Sequence, residues 1–117
     1  MRAVNPRSEA ELATQVVKAD TFWTRLRGLT GRTGLESGEA LWIVPCRSIH
    51  THGMAFPIDV VFLDRDRNVV GLEENLSPGR FAPIRWKART VLELPAGTVR
   101  RSRTRIGDRI EIEPKEA

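Results

Sequence analysis

Scarcity sets the first bounds. One cysteine, Cys46, in 117 residues excludes an internal disulfide. The chain is nonetheless long enough to bury a core without cross-links or a structural metal. The only two histidines, His50 and His52, restrict imidazole chemistry to one stretch. No apolar run approaches the roughly 20 residues a membrane-spanning helix needs. No N-terminal apolar run resembles a signal peptide. These absences make a cytoplasmic protein without membrane association the expectation. There is no internal repeat and no low-complexity tract. What is present is ordinary for a globular chain, 40% apolar and 29% charged. Residues 1–117 read as a single domain with an ordered core about 11–113, a loose segment over Met1–Ala10 and a tail over Pro114–Ala117.

The strongest local signal is Ile58-Asp59-Val60-Val61-Phe62-Leu63, too short for a helix and closed by the charged string Asp64–Asn68. It predicts a strand covered on both faces at the centre of the fold. Other strands are expected at Leu12–Lys18, Ala40–Val44, Ser48–His52, Val69–Leu76, Thr90–Leu94 and Arg109–Glu113. Asp66-Arg67-Asn68 suits a hairpin turn. Phe81–Trp86 reads as irregular. Asp20 or Thr21 can cap a short helix, which Gly28 and Gly31 would end. Phe22, Leu26 and Leu29 recur at i, i+4 and i+7 and predict its buried face. The fold class is therefore mainly β: a sandwich-like or distorted barrel of six to eight short strands with one short helix.

Several separated motifs then carry a resemblance. They are Arg27-Gly28-Leu29-Thr30-Gly31-Arg32, the Trp42 strand, Phe56–Asp64, Val91–Gly97 and Ile106-Gly107-Asp108. In that order they resemble the domain of unknown function 192 family, also called uncharacterised protein family 0127, over roughly Leu12 to Ile112. The resemblance implies a compact, mainly-β sandwich-like domain with one short helix, and no assigned activity. Thr30 stands where the family commonly has methionine. His50-Thr51-His52-Gly53-Met54 replaces an aromatic stretch of the Phe-Trp-Met-Lys-Asn kind.

Four groups of residues carry candidate chemistry. His50 and His52 share parity in a strand and lie about 6.6–7 Å apart, so one face carries two imidazoles. A metal ion there would need Asp59 as a third ligand, because Cys46 is about 13 Å from His50 along a straight strand. If Gly53–Pro57 folds this strand back on the central one, one register sets His52 opposite Asp59; the neighbouring register separates them. The first is expected, since it gives a buried carboxylate an N–H partner. Cys46 is a candidate nucleophile, though its position after an apolar strand reads first as a buried, inert thiol. Asp59 and Glu93 are candidate acid–base carboxylates, with Glu93 expected on the less buried face. Structural pairing is the plainer role for Asp59. Arg27, on the expected helix, completes the ligand-binding candidates with His50, His52 and Asp59.

The fourth group is cationic. The net charge is +4, yet Arg80–Arg109 holds nine Lys or Arg against two acids, a local +7 that leaves −3 elsewhere. An anionic ligand is one partner this suits. Arg101, Arg103 and Arg105 share strand parity, which also protects a sheet edge by charge. No standard nucleic-acid motif is present, so nucleic acid is not the expected partner. The leading reading is a small binding or accessory module with no cofactor and no catalysis. Alternatives are a metal-binding or hydrolase-like protein using His50, His52 and Asp59, or a weak nucleic-acid or anion binder through Arg100–Arg109.

Overall fold

The computed structural model describes residues 1–114; the side chain of Phe22 also lies outside the described set, as does the expected tail from Lys115 on. The elements are β1 (Arg2–Asn5), β2 (Ala10–Ala13), β3 (Gln15–Ala19), α1 (Phe22–Arg27), β4 (Glu39–Ile43), β5 (Ile49–His50), β6 (Ile58–Leu63), β7 (Val69–Leu76), β8 (Phe81–Ala82), β9 (Thr90–Pro95), α2 (Thr98–Ser102) and β10 (Glu111–Glu113). The fold is mainly β, as expected, with ten short strands and two short helices among the described residues.

The apolar run forms β6, and all six of its residues are buried. It lies inside a five-stranded sheet of order β3-β4-β9-β6-β7. Val61 and Leu63 pack toward one layer, with Leu92 and Leu94 of β9. Ile58, Val60 and Phe62 pack toward the other, with Val91. The first layer is covered by the three-stranded sheet β10-β1-β2 and by Val99 of α2. The second is covered by Leu29 after α1 and by the two-stranded β5-β8 ribbon with Met54 and Ala88. The five-stranded sheet stays open at β3 and β7, so this is a sandwich rather than a closed barrel.

Within that sheet β3 and β4 are parallel, Gln15 opposite Glu39 through Ala19 opposite Ile43. Parallel neighbours need a crossover, and residues 20–38, including α1, provide it. Trp42 on β4 is flanked by cations: the Lys18 ammonium lies 5.4 Å from the ring and the Arg67 guanidinium 5.0 Å. Such placements draw on the negative face of the indole.

Several sequence expectations are corrected. Residues 1–10 are not loose: β1 is the middle strand of its sheet. Its inward positions are Ala3 and Asn5, and the Asn5 amide donates to Asp108 at 2.9 Å and Thr104 at 3.2 Å. The expected strand Leu12–Lys18 is two strands broken at Thr14. The expected strand through Arg101, Arg103 and Arg105 is α2 and its left-handed cap at Arg103, so strand parity does not apply. Arg101 donates to the Glu11 and Leu12 carbonyls, Arg103 to the Ser8 carbonyl. These arginines tie α2 to the β1–β2 region and do not form a stripe, although Trp86 is exposed.

Thr21 caps α1, accepting from Thr24 N while the Thr24 hydroxyl accepts from Thr21 N. The buried face expected for this helix is wrong at Leu26, which is 63% exposed. Gly28 ends the helix at φ 50°, a residue before Leu29. Leu29 is buried from the following loop, and the i+7 step never exists on the helix.

Asp59 behaves as expected of a buried carboxylate in a strand. It is fully buried; Oδ1 accepts from Asn75 N at 2.8 Å, and Oδ2 from Gly97 N at 3.1 Å and Val99 N at 2.8 Å. Asp59→Ala removes the acceptor of three backbone donors, that of Val99 buried, and is expected to cost about 1–3 kcal/mol in thermal or urea unfolding. Leu26→Ala should change stability by no more than about 0.5 kcal/mol, as exposed sites do. A loss of several kcal/mol at Leu26 would restore the buried-face assignment.

Candidate functional site

Strand register separates the two candidate carboxylates. Asp59 is opposite Leu94, and Val60 is opposite Glu93. Directly opposed residues share a face, so Asp59 and Glu93 project to opposite layers. Asp59 faces the α2 side, where its oxygens are occupied by backbone N–H groups. It does not meet the histidines. The expected Ser48–His52 strand is only Ile49–His50, and it pairs with β8, His50 opposite Phe81. His52 sits in the following turn. The two rings do lie together, 5.4 Å between centroids, but both residues are exposed. The His52–Asp59 register is thereby overturned. Its cause is Thr51, which is buried between them: its hydroxyl donates to Ser77 O and accepts from Arg80 N, anchoring the segment to the 77–82 stretch. Among the described residues no group of three His, Cys, Asp or Glu is placed to hold a metal ion.

Glu93 lies elsewhere than expected. It is 3% exposed, on the layer under α1. Here a cleft of about 300 Å³ opens, lined by Arg25 to Thr30 on one side and by Ile43, Cys46, Ser48, Ile49 and His50 on the other, with Met54 and Glu93 also in its lining. The cleft thus gathers four sequence candidates, Arg27, Cys46, His50 and Glu93, and omits Asp59 and His52.

Local structure places each group. Glu93 is in the middle of β9 between Leu41 of β4 and Val60 of β6. Arg25 and Arg27 belong to the last turn of α1. Gly28 closes that helix with its bare backbone over the carboxylate: a Cβ there would stand 3.8 Å from Glu93 Oε1. Cys46 follows β4, and its thiol donates to Ser48 O at 3.0 Å.

The electrostatics are unbalanced. Glu93 Oε1 is buried without a hydrogen-bond partner among the described residues, and Arg25 Nε is likewise buried and unpartnered. Burial raises the Glu93 pKa from 4.5 to about 7, with no opposing charge to lower it. Burial also raises that of the Cys46 thiol; Glu93 adds to the rise and Arg25 opposes it. Cys46 is therefore held as a thiol with its proton on a carbonyl, which does not suit a nucleophile. Glu93 is different: a carboxyl group poised near neutrality in a cleft can exchange a proton or accept a ligand's hydrogen bond.

Sequence reasoning missed Arg25 and Gly28. The signal available was the carboxylate inside Val91-Leu92-Glu93-Leu94, a strand whose neighbours on both faces are apolar. Such a strand is buried on both faces, so its one acid is buried with it.

The fold and cleft define a β-sandwich with a small cavity lined by charged residues under a short crossover helix. The chain belongs to the DUF192 family, whose model, described as an uncharacterized ACR, matches residues 3–112. It is 36% identical over 103 residues to a UPF0127 protein of Thermococcus sibiricus, covering 84% of this chain and 66% of that one. The chain thus spans just under two thirds of that relative's length. A UPF0127 protein of Pyrococcus furiosus is 31% identical over 106 residues, covering 86% of this chain and 89% of that one. Among crystal structures, a protein of unknown function from Novosphingobium aromaticivorans shares the fold at TM-score 0.76 and 24% identity, covering 96% of this chain and 93% of that one. A Sinorhizobium meliloti protein provisionally named a transcription regulator is similar at TM-score 0.78 and 26% identity, covering 94% and 89%.

The Glu93 environment predicts a pH-dependent stability. The folded pKa lies above the unfolded one, so as pH rises from 4.5 to about 7 the unfolded chain releases its proton first. Stability therefore falls over that interval and levels off above it. At about 1.4 kcal/mol per pH unit, the loss is on the order of 3 kcal/mol. Calorimetric unfolding of Glu93→Gln should lack this slope and be more stable than the wild type at pH 8. Parallel profiles would show that Glu93 carries no buried charge.

Proposed function

We propose that this chain is a small-ligand binding domain whose site is the cleft between α1 and the β4–β5 segment. The observation that carries the reading is Glu93, a residue lining a cavity of about 300 Å³ whose Oε1 is buried and unpartnered. A buried acceptor without a donor costs free energy in the empty protein, and a ligand that supplies the donor recovers it. The cavity lies at the small end of the range for ligand sites, which suits a metabolite rather than a polymer. Arg25 and Arg27 give it a cationic wall, in keeping with an anionic group on the ligand. A single-domain, cytoplasmic protein belongs to the same proposal. Its support is the lone cysteine and, among the described residues, the lack of any helix long and apolar enough to cross a membrane.

A thermal-shift screen of small polar metabolites, followed by amide chemical-shift mapping, tests this. Ligands should perturb Arg25–Thr30 and Ser48–His50. Arg25→Ala should weaken binding by about 10–100-fold, the worth of one hydrogen bond to a charged group, with little change in melting temperature. Hits that map elsewhere, or bind Arg25→Ala equally well, would overturn the assignment.

A further inference from the structure

We propose that the cleft's ligand is a free α-amino acid with a short aliphatic side chain, its ammonium on Glu93 and its carboxylate on Arg25; this rests on the cleft being a ligand site. Two residues that line the same cavity each hold a buried, unpartnered polar atom: an acceptor, Glu93 Oε1, and a donor, Arg25 Nε. They belong to groups of opposite charge, and neither satisfies the other. Among the described residues no ion pair joins Glu93 to a cation or Arg25 to an acid. A simple anion would satisfy Arg25 and be repelled by ionised Glu93. A simple cation would do the reverse. Only a ligand carrying both charges meets both groups with charge-assisted hydrogen bonds. The wall also includes the buried Leu29, Ile43, Ile49 and Met54, an apolar seat for an alkyl group. A volume of about 300 Å³ matches a molecule of this size better than a peptide.

The binding is linked to protons. Other charged or titratable groups in the cleft are Arg27 from α1 and Cys46 and His50 from the β4–β5 segment; β4 and β6 bring only Leu41 and Val60 beside Glu93. The ammonium requires ionised Glu93, which in the free protein holds its proton below about 7. Affinity should therefore drop about tenfold per pH unit below that point.

Calorimetric titration at pH 8 with L-valine, isobutylamine and isovalerate tests the proposal; the last two each keep one of the amino acid's charged groups on the same branched chain. L-valine should bind at least tenfold more tightly than either. Its affinity should fall between pH 7 and 5, and Glu93→Gln should flatten that dependence and erase the advantage over isovalerate. Circular dichroism confirms that the variant is folded, and Arg25→Ala, on an exterior helix, provides the second arm by losing the advantage over isobutylamine. Isovalerate binding as tightly as L-valine in the cleft overturns the amino-acid assignment and leaves the cleft a binding site. No cleft binding by any metabolite class overturns both.

Discussion

Three backbone N–H groups converge on the carboxylate of Asp59, and most of the architecture depends on where that places them. Asn75 comes from the far end of β7, where its left-handed φ of 52° turns the strand. Gly97 and Val99 come from the start of α2. That helix has no side-chain cap of its own, and the distant strand supplies the acceptor. A single carboxylate thus fixes the central strand, its edge neighbour and the helix that carries Val99 into the first core layer. Both of its oxygens are engaged by backbone N–H groups.

Glu93 is the counterpart on the opposite layer. The two acids occupy adjacent strands one pair apart in register, are equally deep, and meet opposite fates. Around Asp59 the chain turns its donors inward. Around Glu93 it places Leu41, Val60 and the bare backbone of Gly28. A fold that can satisfy one buried carboxylate so fully does not leave the second unmet for want of donors. Proteins retain such local conflicts where the group has another use, and the proposed ligand site beside Glu93 would be such a use.

What was legible in the sequence followed burial patterns that repeat along the chain. Ile58–Leu63 announced a central strand because five of its six residues are apolar, and Asp20 or Thr21 announced α1 as a cap, the role Thr21 takes. The hairpin at Asp64–Asn68 was equally plain: Asp64 accepts from the Asp66 and Asn68 N–H groups, and Arg67 takes a left-handed φ of 65°. β1 stayed hidden because one of its two inward residues is Asn5, whose partners lie a hundred residues away. α2 stayed hidden because Arg101, Arg103 and Arg105 alternate as a strand would, while Val99 and Ser102, two of the three residues it buries, sit at helical spacing. The site was half visible. Cys46, His50, Glu93 and Arg27 do share one cleft, yet the register that separates Asp59 from Glu93 is a property of pairing, which one strand's residues do not contain.

The pairing of β1 with β10, Arg2 opposite Glu113, has a consequence for a chain made from one end to the other. The first strand can fold against β2 at once, but its other edge waits for a partner more than a hundred residues downstream. At a synthesis rate of about 5–20 residues per second that wait is roughly 5–20 s, during which an open strand edge is an invitation to neighbouring nascent chains. Asn5 on the inward face, in place of an apolar residue, makes the waiting strand less adhesive. Its amide then finds Asp108 and Thr104 only when the last part of the chain arrives. The polar residue that obscured the strand in the sequence is thus the one suited to keep it solitary until the sheet can close.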